Sequence, residues 1–109
     1  MIRTAVIMLA VSLVVGLGAA QAQASGLTGE RIAELKGFVD QDCGSCHGLT
    51  RKGGLGSPLD AQTMRQIGDE ALVATILDGR PGTPMPPWRA LISEDEARWI
   101  VHYLKGQEQ

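Results

Sequence analysis

Residues 43–47 read Cys43-Gly44-Ser45-Cys46-His47, two thiols three positions apart followed at once by an imidazole. A pentapeptide of this form is the attachment signature for c-type haem, because both thiols can add across porphyrin vinyl groups while the histidine falls beneath the iron. The expected cofactor is one covalent haem c, held by Cys43 and Cys46, with His47 as its proximal ligand. Gly44 and Ser45 are small, so a loop here can lie against the haem edge. Other readings fit less well. A thioredoxin-like pair needs a βαβ context, and this glycine-rich stretch has no strand pattern on either side. A structural zinc site needs about four ligands, whereas the chain holds two cysteines and two histidines in all. A disulfide closing so short a loop would stabilise little.

The amino terminus has the three parts of a secretory leader: Arg3, an apolar run over 5–17, and Ala-Gln-Ala at 20–22 and again at 22–24. Cleavage after Ala24 or Ala22 divides the chain into a signal peptide, 1–24, and a domain over 25–109. The apolar run is shorter than the roughly 20 residues of a bilayer crossing and is broken by Gly16 and Gly18. The product is therefore read as periplasmic and not inserted in the membrane, with an uncleaved tether as the alternative. A domain of this size rarely builds a comfortable core from side chains alone, and a buried haem would supply the missing apolar mass. The formal charge of −2 becomes −3 once Arg3 leaves with the signal. An acidic balance of this kind argues against nucleic-acid binding.

Over 28–42, Ile32, Leu35 and Val39 recur at helical spacing with charges between them, predicting an amphipathic helix capped by Thr28 that leads into the haem-binding loop. Gly37 interrupts it, a cost that close approach of a crossing helix would offset. Residues 48–59 hold four glycines and a proline and predict a loop able to wrap a flat cofactor. Asp60 is placed to cap a short helical turn carrying Met64. Asp69 is placed to cap a second helix, with Leu72, Val73, Ile76 and Leu77 as its apolar stripe and Gly79 as its stop. Four prolines over 80–88 exclude regular helix and stiffen the chain. Ser93 and Glu96 form a capping box on a last helix whose buried stripe is Ala97, Ile100, Val101 and Leu104, ending at Gly106. The fold class is all-α: short helices and loops wrapped around one haem.

Haem iron takes a sixth ligand, and Met64, Met85 and His102 are the candidates after the leader is removed. Met85 sits between Pro84 and Pro86, where its thioether is held at a fixed point, and is the expected ligand beside His47. Met64 reads as a core filler, and His102 as a solvated residue on the polar side of the last helix. An open site would imply ligand binding or peroxidase chemistry instead. Trp88 is placed either to reach a haem propionate through its indole N–H or simply to pack. Trp99 and Tyr103 read as core or first-helix contacts. Arg51, Lys52, Arg80 and Arg89 flank the two haem-binding segments, as a basic rim that steers acidic partners or as scattered solvated charges.

The order of these parts resembles the small class I cytochromes c across essentially the whole mature chain. More narrowly, Asp42-Cys43-Gly44-Ser45-Cys46-His47-Gly48, Lys52-Gly53-Gly54-Leu55-Gly56 and the run from 79 to 88 are similar to the monohaem c55X type that accompanies dissimilatory nitrite reductase in denitrifying bacteria. The resemblance implies a monomeric one-electron carrier and not an enzyme, with redox proteins, nitrite reductase among them, as partners. Assistance in maturing that reductase is the alternative it implies. Two departures stand out. Ser57 occupies a position where relatives often have proline, leaving open whether Ser57 or Pro58 offers its carbonyl to His47, and Phe38 lies one position from the usual aromatic.

Overall fold

The computed structural model describes residues 26–108; the signal peptide expected over 1–24 lies outside them. Five α-helices make up the described part: α1 (Gly29–Phe38), α2 (Gly44–His47), α3 (Ala61–Arg65), α4 (Asp69–Asp78) and α5 (Glu94–Leu104). No strand occurs among the described residues.

Local chemistry sets most helix ends. The Thr28 hydroxyl accepts the Arg31 N–H at 3.1 Å and opens α1. Asp60 does the same for α3 through the Thr63 amide at 3.0 Å. At α5, Ser93 and Glu96 satisfy each other's backbone donors as a full capping box, with hydrogen bonds of 3.2 and 2.8 Å. Helix α4 departs from expectation: Gly68 is its N-cap, without a side-chain bond, and Asp69 is already inside the first turn. The Asp69 carboxylate is instead committed to Lys105 and His102 on α5 and its C-cap. Gly79 ends α4 at φ 68°, a conformation glycine adopts without strain.

The segment carrying the two cysteines is helical, not the loop the sequence suggested. A π-helical turn, Val39–Cys43, joins α1 to α2, so the chain stays coiled from residue 29 to 47. Such a turn admits an extra residue and rotates the next helix relative to the preceding one. Here Leu35 and Val39 join the core, whereas Cys43, Cys46 and His47 line the main cavity.

That core is Leu35, Val39, Met64, Val73, Leu77, Ile92, Ala97, Ile100, Val101 and Leu104. Helix α5 contacts α1, α3 and α4. Burying a side chain such as Leu35 or Ile100 stabilises by about 1.5–3 kcal/mol. The Arg31 guanidinium reinforces the α1–α5 contact by reaching Glu96 at 2.6 Å. Gly37 serves no close approach, since nothing lies within 4 Å of where its Cβ would be.

His102 is also placed differently from expectation. It is half-buried between Asp69 at 3.2 Å and Glu108 at 3.5 Å. Beside it the Lys105 side chain is 6% exposed, its ammonium donating to Ile67 O at 2.6 Å and meeting Asp69 at 2.5 Å. This cluster pins the end of α5 to the α3–α4 junction. A lysine buried at this level needs such partners, because an unpaired ammonium out of water is costly.

Candidate haem site

Helix α2, the loop over 48–59, α3, α4, the proline-rich loop over 80–88 and α5 line a cavity of about 470 Å³. Its lining is mainly apolar, with Leu59, Met64, Leu72, Ile76, Trp88 and Ile100 among the contributors. All four site residues expected from the sequence reach it: Cys43, Cys46, His47 and Met85. Asp42 and Arg80 also contribute charge to the lining.

The thiols of Cys43 and Cys46 are free and half-buried. Burial, with a smaller contribution from the Asp42 charge, pushes the Cys43 thiol up to about 11.

His47 is held from two directions. Its Nδ1 lies 2.6 Å from the carbonyl oxygen of Ser57. That oxygen can only accept, so Nδ1 carries the proton and Nε2 keeps its lone pair for a metal. Ser57, rather than Pro58, thus supplies the carbonyl. On another side Gly56 packs so tightly that a Cβ there would stand 2.7 Å from ring atoms Nδ1 and Cε1. The loop is kept there by Gly56 N–H donating to Cys46 O at 2.8 Å and Gly53 N–H donating to His47 O at 2.9 Å. Arg51, at φ 61° the one positive-φ non-glycine among the described residues, turns this loop. Its guanidinium sits 5.4 Å from the Tyr103 ring centroid and 3.8 Å from Asp40.

Met85 is presented by a loop fastened to α4. Trp88 and Arg89 donate their amides to Ile76 O and Leu77 O at 3.1 and 3.2 Å. Gly79 lets the loop close, because a Cβ at that position would meet Met85 O at 2.7 Å. Met64 is buried and lines the cavity from α3, so the core filler is also part of the wall. Trp88 packs edge-on against Phe38, with ring centroids 4.9 Å apart. Trp99 and Tyr103 stack at 5.1 Å beside Lys36 of α1, in keeping with packing roles. The basic rim is thinner than the sequence suggested. Arg51 faces Asp40, and Arg89 pairs with Asp78 at 2.6 Å.

Sequence reasoning placed Gly56 in the turn beside His47 but did not single out Leu59, Ile67, Ala71 or Thr75 as part of the site, since nothing in their residue types sets them apart from ordinary core positions.

A family model described as "Cytochrome C oxidase, cbb3-type, subunit III" matches residues 17–104. Cytochrome c55X of Pseudomonas aeruginosa is 55% identical over 74 residues, which are 68% of this chain and 62% of that protein. The match thus spans just under two thirds of that relative's length. Cytochrome c55X of Paracoccus denitrificans is 55% identical over 75 residues, covering 69% of this chain and 73% of its own.

The chain belongs to the cytochrome c family, among the small cytochromes of c55X type.

A solved structure titled "c-type cytochrome NirC" has this cytochrome's fold, with a TM-score of 0.72 at 50% identity, over 75% of this chain and 96% of that one. Membership establishes the all-α cytochrome fold and a single covalent haem c as the cofactor. The cavity fits such a group on its own evidence. It is apolar, it gathers two thiols with a nitrogen and a thioether donor, and its imidazole is already fixed in the metal-binding tautomer.

Proposed function

We propose that Cys43 and Cys46 hold the haem through thioether bonds, that His47 and Met85 are its axial ligands, and that the chain is an exported one-electron carrier serving nitrite reductase in denitrification. The observation that carries the ligand assignment is the gathering of all four residues on one apolar cavity. The bound haem supplies a one-electron couple at its iron. The chain's own residues do the rest. Ser57 fixes the His47 tautomer through its carbonyl at 2.6 Å, and the lack of a side chain at Gly56 leaves room for the ring to lie there. The stiff loop over 80–88 holds the Met85 thioether, a soft donor that favours the reduced metal. A ligand held this way moves little when the charge on the metal changes, which favours fast electron transfer. Leu72, Ile76 and Leu59 exclude water from the cavity and keep its dielectric low.

The domain is assigned to 25–109, with 1–24 as its export signal. No helix among the described residues is long and apolar enough to cross a membrane. The denitrification role is supported by the c55X relatives and by the NirC structure.

The test of the ligand set is the ferric spectrum of Met85→Ala. The weak sulfur-to-iron band of the wild type should disappear, and its persistence would rule out Met85. Deletion of the gene tests the role. Loss of electron flow to a mature nitrite reductase supports the carrier, whereas an inactive reductase lacking its own cofactor supports the assembly role instead.

A further inference from the structure

The loop over 80–88 has lost four backbone donors to Pro81, Pro84, Pro86 and Pro87, so few polar groups remain to fix its shape. We infer that Thr83 is a positioning residue for Met85, its hydroxyl being the brace that closes this loop around the thioether. The inference rests on the reading of Met85 as an axial ligand.

Residues 80–83 form a turn with Pro81 and Gly82 at its centre. Thr83 N–H donates to Arg80 O at 3.1 Å, and Gly82 stands at φ 78°. Proline followed by positive-φ glycine is the signature of a type II turn. The Thr83 hydroxyl then works in two directions. It donates to the same Arg80 carbonyl at 2.6 Å and accepts the Met85 N–H at 3.3 Å. Arg80 N–H completes the ring by donating to Met85 O at 3.2 Å. One side-chain oxygen therefore joins the start of the loop to the backbone of the residue that carries the ligand. Both Thr83 and Met85 line the cavity. Without the hydroxyl, the Met85 amide loses its partner, and over 80–85 the loop is joined only by the main-chain bonds to Arg80.

This role is distinguishable from general support of the fold. Thr83 sits outside the core cluster, so its loss should act on the ligand loop and leave the helices intact. Exogenous imidazole competes with a protein thioether for the sixth position, and its apparent affinity rises as the closed loop is weakened. Thr83→Val keeps the branched shape and removes the hydroxyl, whereas Thr83→Ser keeps the hydroxyl.

The experiment is optical titration of the ferric holoproteins with imidazole, together with the strength of the sulfur-to-iron band. Thr83→Val should bind imidazole roughly five- to tenfold more tightly than the wild type, the order expected from loss of one or two hydroxyl hydrogen bonds. Its sulfur-to-iron band should weaken. Thr83→Ser should stay within about twofold of the wild type on both readouts. If Thr83→Val does not accumulate, Thr83→Ala against Thr83→Ser makes the same comparison. Wild-type affinity in the hydroxyl-free variant, with the band lost in Met85→Ala, would overturn the role of Thr83 alone. An unchanged band in Met85→Ala would instead overturn the ligand assignment beneath it.

Discussion

Gly56→Ala should be destabilising in a way that no other feature of its loop predicts. The added Cβ would stand 2.7 Å from two ring atoms of His47 and 3.2 Å from a third. Ordinary carbon contacts lie near 3.5–4.0 Å, so something must move by about 1 Å. The imidazole cannot yield freely, because Nδ1 is tied to Ser57 O at 2.6 Å and the opposite nitrogen must keep facing the cavity. The backbone cannot yield freely either, since Gly56 donates to Cys46 O at 2.8 Å and accepts from Gly54 at 3.0 Å. Gly56 is absent from the positive-φ glycines, so the penalty is steric alone. Overpacking of this kind costs about 1–3 kcal/mol. Gly37→Ala is the internal control. It lies in α1 with nothing within 4 Å of its Cβ position, so alanine there should stabilise by about 0.5–1 kcal/mol. Denaturant titration of the two holoproteins at neutral pH gives both numbers, and the visible spectrum reports whether the iron site has moved. A Gly56→Ala variant within about 0.5 kcal/mol of the wild type, with an unaltered spectrum, would refute the claim that glycine is needed against the imidazole.

Acid stability follows from four carboxyls held below their ordinary range: Asp69 chiefly by the Lys105 ammonium, Glu96 chiefly by Arg31, Glu70 chiefly by Arg98, and Asp60 by the hydroxyl and amide of Thr63. A depressed carboxyl contributes stability that is present above its unfolded value, near 4, and is lost as pH falls through the folded value. The unfolding free energy should therefore decline below about pH 4, less steeply in Asp69→Asn. A decline as steep in that variant as in the wild type would remove Asp69 from the explanation. Lys105→Met should cost about 1–3 kcal/mol in denaturant titration, because it strips Ile67 O and Asp69 of their buried donor; a neutral effect would show that packing alone fixes the end of α5.

The features legible in the sequence were those written in short-range chemistry. Thr28, Asp60 and the Ser93–Glu96 box cap helices because each side chain reaches an amide three residues away. Cys43, Cys46, His47 and Met85 were readable because their residue types and proline or glycine neighbours suit few other purposes. What was hidden depends on distant partners. Asp69 looked like a cap, yet its carboxylate belongs to residues more than thirty positions on. His102 looked solvated until Asp69 and Glu108 closed around it. Arg51 and Arg89 looked free until Asp40 and Asp78 faced them. The π-helical turn at 39–43 left no sequence trace, since its composition is that of an ordinary helix end.

The central claim is a single haem bound through Cys43 and Cys46 within the cavity that His47 and Met85 share. Intact-mass measurement of the exported protein, followed by mapping of the peptide spanning 43–47, tests it directly. The account predicts one added haem, with both cysteines joined to it on the same peptide. A polypeptide of unmodified mass, or a haem joined to neither thiol, would contradict it.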